Sequence, residues 1–326
     1  MITYLPIQNQ HTYDSVDFPT AISNDNNDSN LDAAITWLKE NQKTIEERLA
    51  LCGAVLFRGF PIHDAETFDK FSAAFNYPSF TYKESLSNAV RINFTERVFT
   101  ANEAPKDVEI HLHHEMAQTP ISPEKIFFFC VSSADNGGAT PLCRSDQLFA
   151  AFEAEAPSLA KDFEEKGVKY TTHMPAADNH GSGQGRSWAS TLSAETKEEA
   201  EQKLKQLGYS WEWEADDSLK AITPVLPAVI ELDDGRKVFY NQLLAAYLGW
   251  SGVRENPTKA ICFGDGSAIP KAALETMAEL SEKFTFDMNW QDGDMVLVDN
   301  KTTMHGRRPY SGERKRQVLV ALAGAA

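Results

Sequence analysis

His113, Glu115, His305 and Arg316 are residues whose types and spacing could do chemistry together. The segment His113-His114-Glu115 supplies a histidine and a carboxylate two positions apart. In extended chain such positions point the same way, so His113 and Glu115 can share one ion while His114 points away. The lone His305, far along the chain, can supply a third ligand. Two imidazoles and one carboxylate occupy one face of an octahedral ion and leave the other face open, as O2 activation at non-haem Fe(II) requires. Arg316, eleven residues after His305, can grip the carboxylate of a co-substrate with its forked guanidinium.

Each piece also has an ordinary explanation. His-x-Glu is common by chance, and a lone histidine is more often hydrogen-bonded than metal-bound. The setting argues for more. HLHHE at 111–115 holds three of the chain's eight histidines, and such clustering serves metal binding or proton transfer more than packing. The stretch 307–316 carries Arg307, Arg308, Arg314, Lys315 and Arg316, in a chain with only 31 basic residues among 326. In so acidic a protein that density predicts an anion site, the alternative being a solvated basic loop. Arg316 is in phase with Val318 and Val320, so it can face the core, where an unpaired charge is costly and a bound carboxylate would pair it. Gly137-Gly138-Ala139-Thr140 follows the run IFFFCV and offers close backbone approach and one hydroxyl. The run GSGQGR at 181–186 lacks the Gly-Lys-Ser/Thr ending of a phosphate loop and reads as a plain or lid loop.

The elements that position these residues fit one domain spanning 1–326, with 1–53 as a helical and loop decoration. Formal net charge is −16, which repels nucleic acid and anionic membranes and excludes both as expected partners. The opening MITYLPIQNQ has no cationic region followed by an apolar stretch, so no secretory signal is expected, and the apolar runs are far too short to span a bilayer. Cys52, Cys130, Cys143 and Cys262 lack CxxC spacing and read as reduced thiols, so the expected location is cytoplasmic.

Leu31 to Leu51 is helical in pattern with Gly53 as its stop. Ala54 to Phe57 reads as a strand, 65–75 as an amphipathic helix, and Lys125 to Val131 as a buried strand. Residues 23–30 form a polar loop and 174–188 a glycine-bearing one. Ser145 is expected to cap a helix to about Ala154, Pro157 to open another, and Ser193 to begin a charged helix ending at Gly208. Short strands follow at 209–213, 218–223, 225–232 and 236–241, the last two joined at Asp234-Gly235. Pro270 to Phe284 is helical; Met295 to Asn300 and Gln317 to Leu322 are strands. Many short strands with inserted helices predict a mainly β chain with helical insertions, an α+β class, built on one closed or sandwiched core.

The motifs HHEMAQTP at 113–120, GGATPL at 137–142 and VDNKTTMHGRRP at 298–309 resemble those of Fe(II)/2-oxoglutarate dioxygenases of the taurine dioxygenase and clavaminate synthase-like superfamily. They are especially similar to a subgroup that includes syringomycin-cluster hydroxylases. The resemblance covers about 54–322. It implies a double-stranded β-helix, or jelly roll. It also implies iron on His113, Glu115 and His305, and 2-oxoglutarate on Arg316 with help from Thr140. The implied reaction consumes O2 and 2-oxoglutarate, releases succinate and CO2, and hydroxylates an unactivated C–H. Related halogenases lack the carboxylate, and Glu115 argues against that chemistry. Glutamate in place of aspartate matches the clavaminate-type branch, whereas the resemblance assigns His114 no role. Arg307, Arg308, Asn241 and Asn102 are the candidate substrate contacts. The arginines favour an anionic or zwitterionic small molecule such as an amino acid, free or tethered to a carrier protein. Desaturation and ring closure use the same oxidant and stay open. Two rival readings use the same triad: a zinc-type hydrolase and a non-catalytic jelly-roll binding protein.

Overall fold

The computed structural model describes residues 2–24, 30–81, 86–87, 91–178 and 185–324. Lys125–Ser132 lies inside an eight-stranded sheet, between Met295–Asp299 and Gln317–Ala323. Ala54–Arg58, Thr20–Ser23 and Thr3–Tyr4 extend the sheet on one side, and Val98–Thr100 and Ser79–Phe80 on the other. Ile126, Phe128 and Cys130 share one core with Val296, Val298, Val318 and Val320. The alternate residues Phe127 and Phe129 join Leu297 and Leu319 in a second core, against Leu38, Ile45 and Leu49 of the helix Leu31–Cys52 and Phe68 and Phe71 of Ala65–Ala73. A strand covered on both faces needs apolar residues at every position, which is why the run is continuous rather than alternating.

A four-stranded antiparallel sheet faces the first, in the order Thr285–Met288, Thr140–Arg144, Thr303–Arg307, Ile110–His113. Its Leu142, Phe286 and Met288 belong to the same core as Phe128 and Val318, so the two sheets form a jelly-roll sandwich. Its outer residues Leu112, Cys143 and Met304 are covered by the helices Ser145–Glu155, Pro157–Lys166, Leu243–Gly249 and Lys271–Lys283. The chain is therefore of mixed α+β class, a jelly-roll core with helical insertions, as expected. Among the described residues no helix is long and apolar enough to cross a membrane.

Several local expectations are corrected. Residues 1–53 are more than a decoration, because Thr20–Ser23 pairs in parallel with Ala54–Arg58 and Thr3–Tyr4 pairs with Thr20–Ser23. Ser145 is the first helical residue rather than the cap, and its hydroxyl donates to the Thr302 carbonyl at 2.9 Å. The charged helix begins at Lys197, not Ser193, because the Thr196 hydroxyl accepts the Glu199 N–H and competes successfully as the cap. The strands expected at 225–232 and 236–241 shrink to Ile230–Glu231 and Lys237–Val238 around Asp234-Gly235. Pro224 and Pro227 have no N–H for a ladder there. Most of the 23–30 loop and of GSGQGR lies outside the described residues.

Candidate active site

The strand Thr303–Arg307 lies between Thr140–Arg144 and Ile110–His113, and this register sets His305 directly across from His113. Their ring centroids are 4.4 Å apart. Phe128 reaches from the facing sheet to within 5.0 Å of the His305 ring. Glu115 arrives differently from the strand alternation expected of it. The strand ends at His113, and Glu115 sits in the following turn, where Met116 takes a left-handed φ of 59°. Asn300, fully buried, fixes that turn: its Oδ1 accepts the Glu115 N–H at 2.7 Å, and its Nδ2 donates to the carbonyls of Glu115 and Pro123 at 3.0 and 2.7 Å.

The result is a convergent set. Glu115 Oε2 lies 3.4 Å from His305 Nε2 and 3.8 Å from His113 Nε2. One ligand atom from each residue lies within 4.8 Å of the others, as one ion needs. His113 Nδ1–H donates to the His111 carbonyl at 2.8 Å, which leaves Nε2 with its lone pair on the Glu115 side. Burial, aided by His305, lowers the His113 pKa to about 4, so the ring is neutral near pH 7. Burial would raise the Glu115 pKa, but Arg91 and the two histidines outweigh it and hold the carboxyl well below its usual range. Two imidazoles and one carboxylate are the donor set that a divalent transition metal takes. His114 points away as expected: its Nδ1–H donates to the Asn300 carbonyl, and its own carbonyl accepts from Gln242 Nε2 at 3.0 Å. It therefore anchors the turn that presents Glu115.

A cavity of about 450 Å³ opens between the two sheets beside this triad. Thr140 and Arg316 line it together with His113, Glu115 and His305. Arg316 Nε donates to the Gly138 carbonyl at 2.8 Å, and Nη2 lies 3.4 Å from Thr140 Oγ1. Gly138 takes a φ of 73°, and a Cβ there would come within 2.9 Å of Arg316 Cδ, so the glycine is required by the arginine that crosses it. The Tyr310 ring stacks near the guanidinium at 5.8 Å. Burial, reinforced by Arg307, lowers the Arg316 pKa to about 10. A bound anion would offset the cost of burying that charge.

The expected basic anion site at 307–316 narrows to this one residue, because the other arginines are already paired. Arg307 lines the cavity, but its Nη1 donates to the carbonyls of Asn102 and Ala104 and its Nη2 to those of Pro105 and Val108. It ties the loop before Ile110 to the sheet. Arg308 lies outside the cavity lining and pairs with Glu109, Glu282 and Asp287 at 2.8–2.9 Å. Arg314 pairs with Asp292. Asn241 is also outside the lining and caps the Leu243 N–H at 3.0 Å, whereas Asn102 does border the cavity.

Sequence reasoning missed Arg91, Trp290 and Asn300. Arg91 borders the cavity and its Nη2 donates to Glu115 Oε1 at 3.0 Å. Trp290 Nε1 donates to Thr140 Oγ1 at 3.0 Å. Only Asn300 carried a signal, its place in the run VDNKTTMHGRRP.

Residues 16–322 match the family model described as taurine catabolism dioxygenase TauD, TfdA family. The chain is 35% identical to a clavaminate synthase-like protein of Arabidopsis thaliana, over 99% of this chain and 98% of that one. It is 28% identical to the dapdiamide synthesis protein DdaC of Enterobacter agglomerans, over 85% of this chain and 84% of that one. Among solved structures, a taurine dioxygenase from Burkholderia xenovorans superposes with a TM-score of 0.54 at 16% identity, covering 99% of this chain and 91% of that chain.

Proposed function

This chain belongs to the taurine catabolism dioxygenase TauD/TfdA family, and from that premise we propose which of its residues do the family's work and on what class of substrate. The enzyme is an Fe(II)- and 2-oxoglutarate-dependent dioxygenase that uses O2. His113, Glu115 and His305 hold the iron. Arg316 and Thr140 receive the distal carboxylate of 2-oxoglutarate. The observation that carries this assignment is that Glu115 Oε2 faces both His113 and His305 while Arg316 and Thr140 line the same cavity.

Bound iron and 2-oxoglutarate supply the oxidising power, coupling decarboxylation to succinate and CO2 with oxidation of a substrate C–H. The protein's own residues bind, orient and exclude water. The His111 carbonyl fixes the His113 tautomer, Arg91 secures the second oxygen of Glu115, and Phe128 and Val318 supply apolar wall. Arg316 sets the position of the co-substrate with a forked, charge-assisted contact.

The substrate is a small anionic or zwitterionic molecule such as an amino acid, free or carrier-tethered, and the product is its hydroxylated form. The cavity size supports a small molecule, and Asn102 on its wall supports a polar one. The relative DdaC, named for dapdiamide synthesis, is consistent with that class.

The test is turnover with Fe(II), ascorbate, 2-oxoglutarate and O2. Slow succinate release is expected without substrate, and one member of a library of amino acids and small carboxylates should accelerate it and gain one oxygen by mass. Glu115→Ala and His305→Ala should abolish both signals. Succinate release by the wild type no greater than by His305→Ala would remove the assignment.

A further inference from the structure

Thr140 Oγ1 is approached by two donors from two different segments. Trp290 Nε1 lies at 3.0 Å and Arg316 Nη2 at 3.4 Å. A hydroxyl has two acceptor lone pairs and one proton. With both lone pairs facing donors, the proton must point elsewhere, and among the described residues no acceptor takes it. Thr140 borders the cavity, so the proton is available to an acceptor there.

The indole is held where this requires it. Thr140 pairs with Met288 across the small sheet, and Trp290 follows Met288 by two residues, so the register delivers the ring beside Thr140. The turn after Trp290 is pinned. Asp294 accepts the Gln291 N–H at 2.9 Å and both Nε and Nη2 of Arg58 at 2.8 and 2.7 Å. Gly293 N–H and Cys130 N–H close the loop onto the large sheet.

We propose that Trp290 is a positioning residue: its indole N–H turns the Thr140 hydroxyl so that the hydroxyl donates to the distal carboxylate of 2-oxoglutarate beside Arg316. This rests on the reading of Arg316 and Thr140 as that receptor. An indole N–H can only donate. It can therefore never compete with the carboxylate for the Thr140 proton, which a serine or histidine in its place could do.

The experiment measures 2-oxoglutarate binding by calorimetry on the full chain loaded with Mn(II), alongside steady-state kinetics with iron. Trp290→Phe removes the donor and keeps an aromatic ring. We expect the dissociation constant and the KM for 2-oxoglutarate to rise about tenfold with little change in kcat. In a Thr140→Val background the same change should add less than about twofold, since the hydroxyl it aims is gone. Wild-type binding in Trp290→Phe, or effects of the two changes that multiply fully, would overturn the proposal. If neither Thr140→Val nor Arg316→Lys weakens binding, it is the receptor reading that fails instead.

Should Trp290→Phe not fold, the indole N–H resonances of the wild type give a second measurement. The chain has six tryptophans. The signal displaced by Thr140→Val should also be the one displaced when 2-oxoglutarate is added. Displacement of different signals by the two perturbations would overturn the proposal.

Discussion

Arg91 and Glu115 form a buried ion pair that divides the work of one carboxylate: Oε1 accepts from Arg91 Nη2 at 3.0 Å, while Oε2 faces His305 and His113. The side chains of Arg91 and Glu115 are only 8% and 6% exposed. One oxygen is thus held by the protein and the other is left toward the two imidazoles.

Removing Arg91 leaves a buried carboxylate without its guanidinium partner until a metal arrives. Arg91→Met should destabilise the metal-free protein by about 3 kcal/mol. Mn(II) should then raise the melting temperature of the variant more than that of the wild type. Equal metal-induced shifts in the two proteins would show that Arg91 does not act through Glu115.

Arg316→Lys keeps the charge and loses the fork. The requirement for 2-oxoglutarate should rise at least about tenfold, or 1.4 kcal/mol, while substrate binding is spared. The measurement is KM for 2-oxoglutarate against kcat. An unchanged KM would separate the guanidinium from the co-substrate.

Asn300→Ala removes three buried hydrogen bonds that fix the Glu115 turn. The expected cost is about 2–4 kcal/mol in urea unfolding. Activity should fall further than stability predicts, because Glu115 loses its backbone anchor. Full activity in the folded fraction would show that the turn holds its shape without Asn300.

Acid stability should depend on Asp146. Its carboxylate is buried and meets Arg144 at 2.5 Å and Arg236 at 3.0 Å. Burial would raise its pKa, but the two arginines prevail and the pKa is lowered. A folded-state pKa below the unfolded value of about 3.9 stabilises the protein at pH above that value, and this contribution is lost as pH falls through the folded pKa. Asp146→Asn should therefore be less stable than the wild type at neutral pH, and the gap should narrow below about pH 4. A pH-independent difference between the two melting curves would exclude this linkage.

Residue types and periodicity by themselves determined the helix Leu31–Cys52 with its Gly53 stop and the buried strands Lys125–Ser132 and Gln317–Ala323, and the motifs named His113, Glu115 and His305 as candidates to meet, although a turn and not strand alternation aims Glu115. Those features depend on local pattern, or on short motifs whose chemistry admits few uses. Only the tertiary structure decided which arginine was free. The phase of Arg316 with Val318 and Val320 marked it as core-facing, but nothing in the sequence showed that Arg307 and Arg308 would already be occupied. The partners that occupy those two come from 102–109 and 282–287, and no local pattern encodes that encounter. Arg91 and Trp290 were invisible for the same reason. Each is an ordinary residue until sheet register and turn geometry bring Glu115 and Thr140 within hydrogen-bond reach. A hydrogen bond needs its partner within about 3 Å, and long-range packing alone sets that distance.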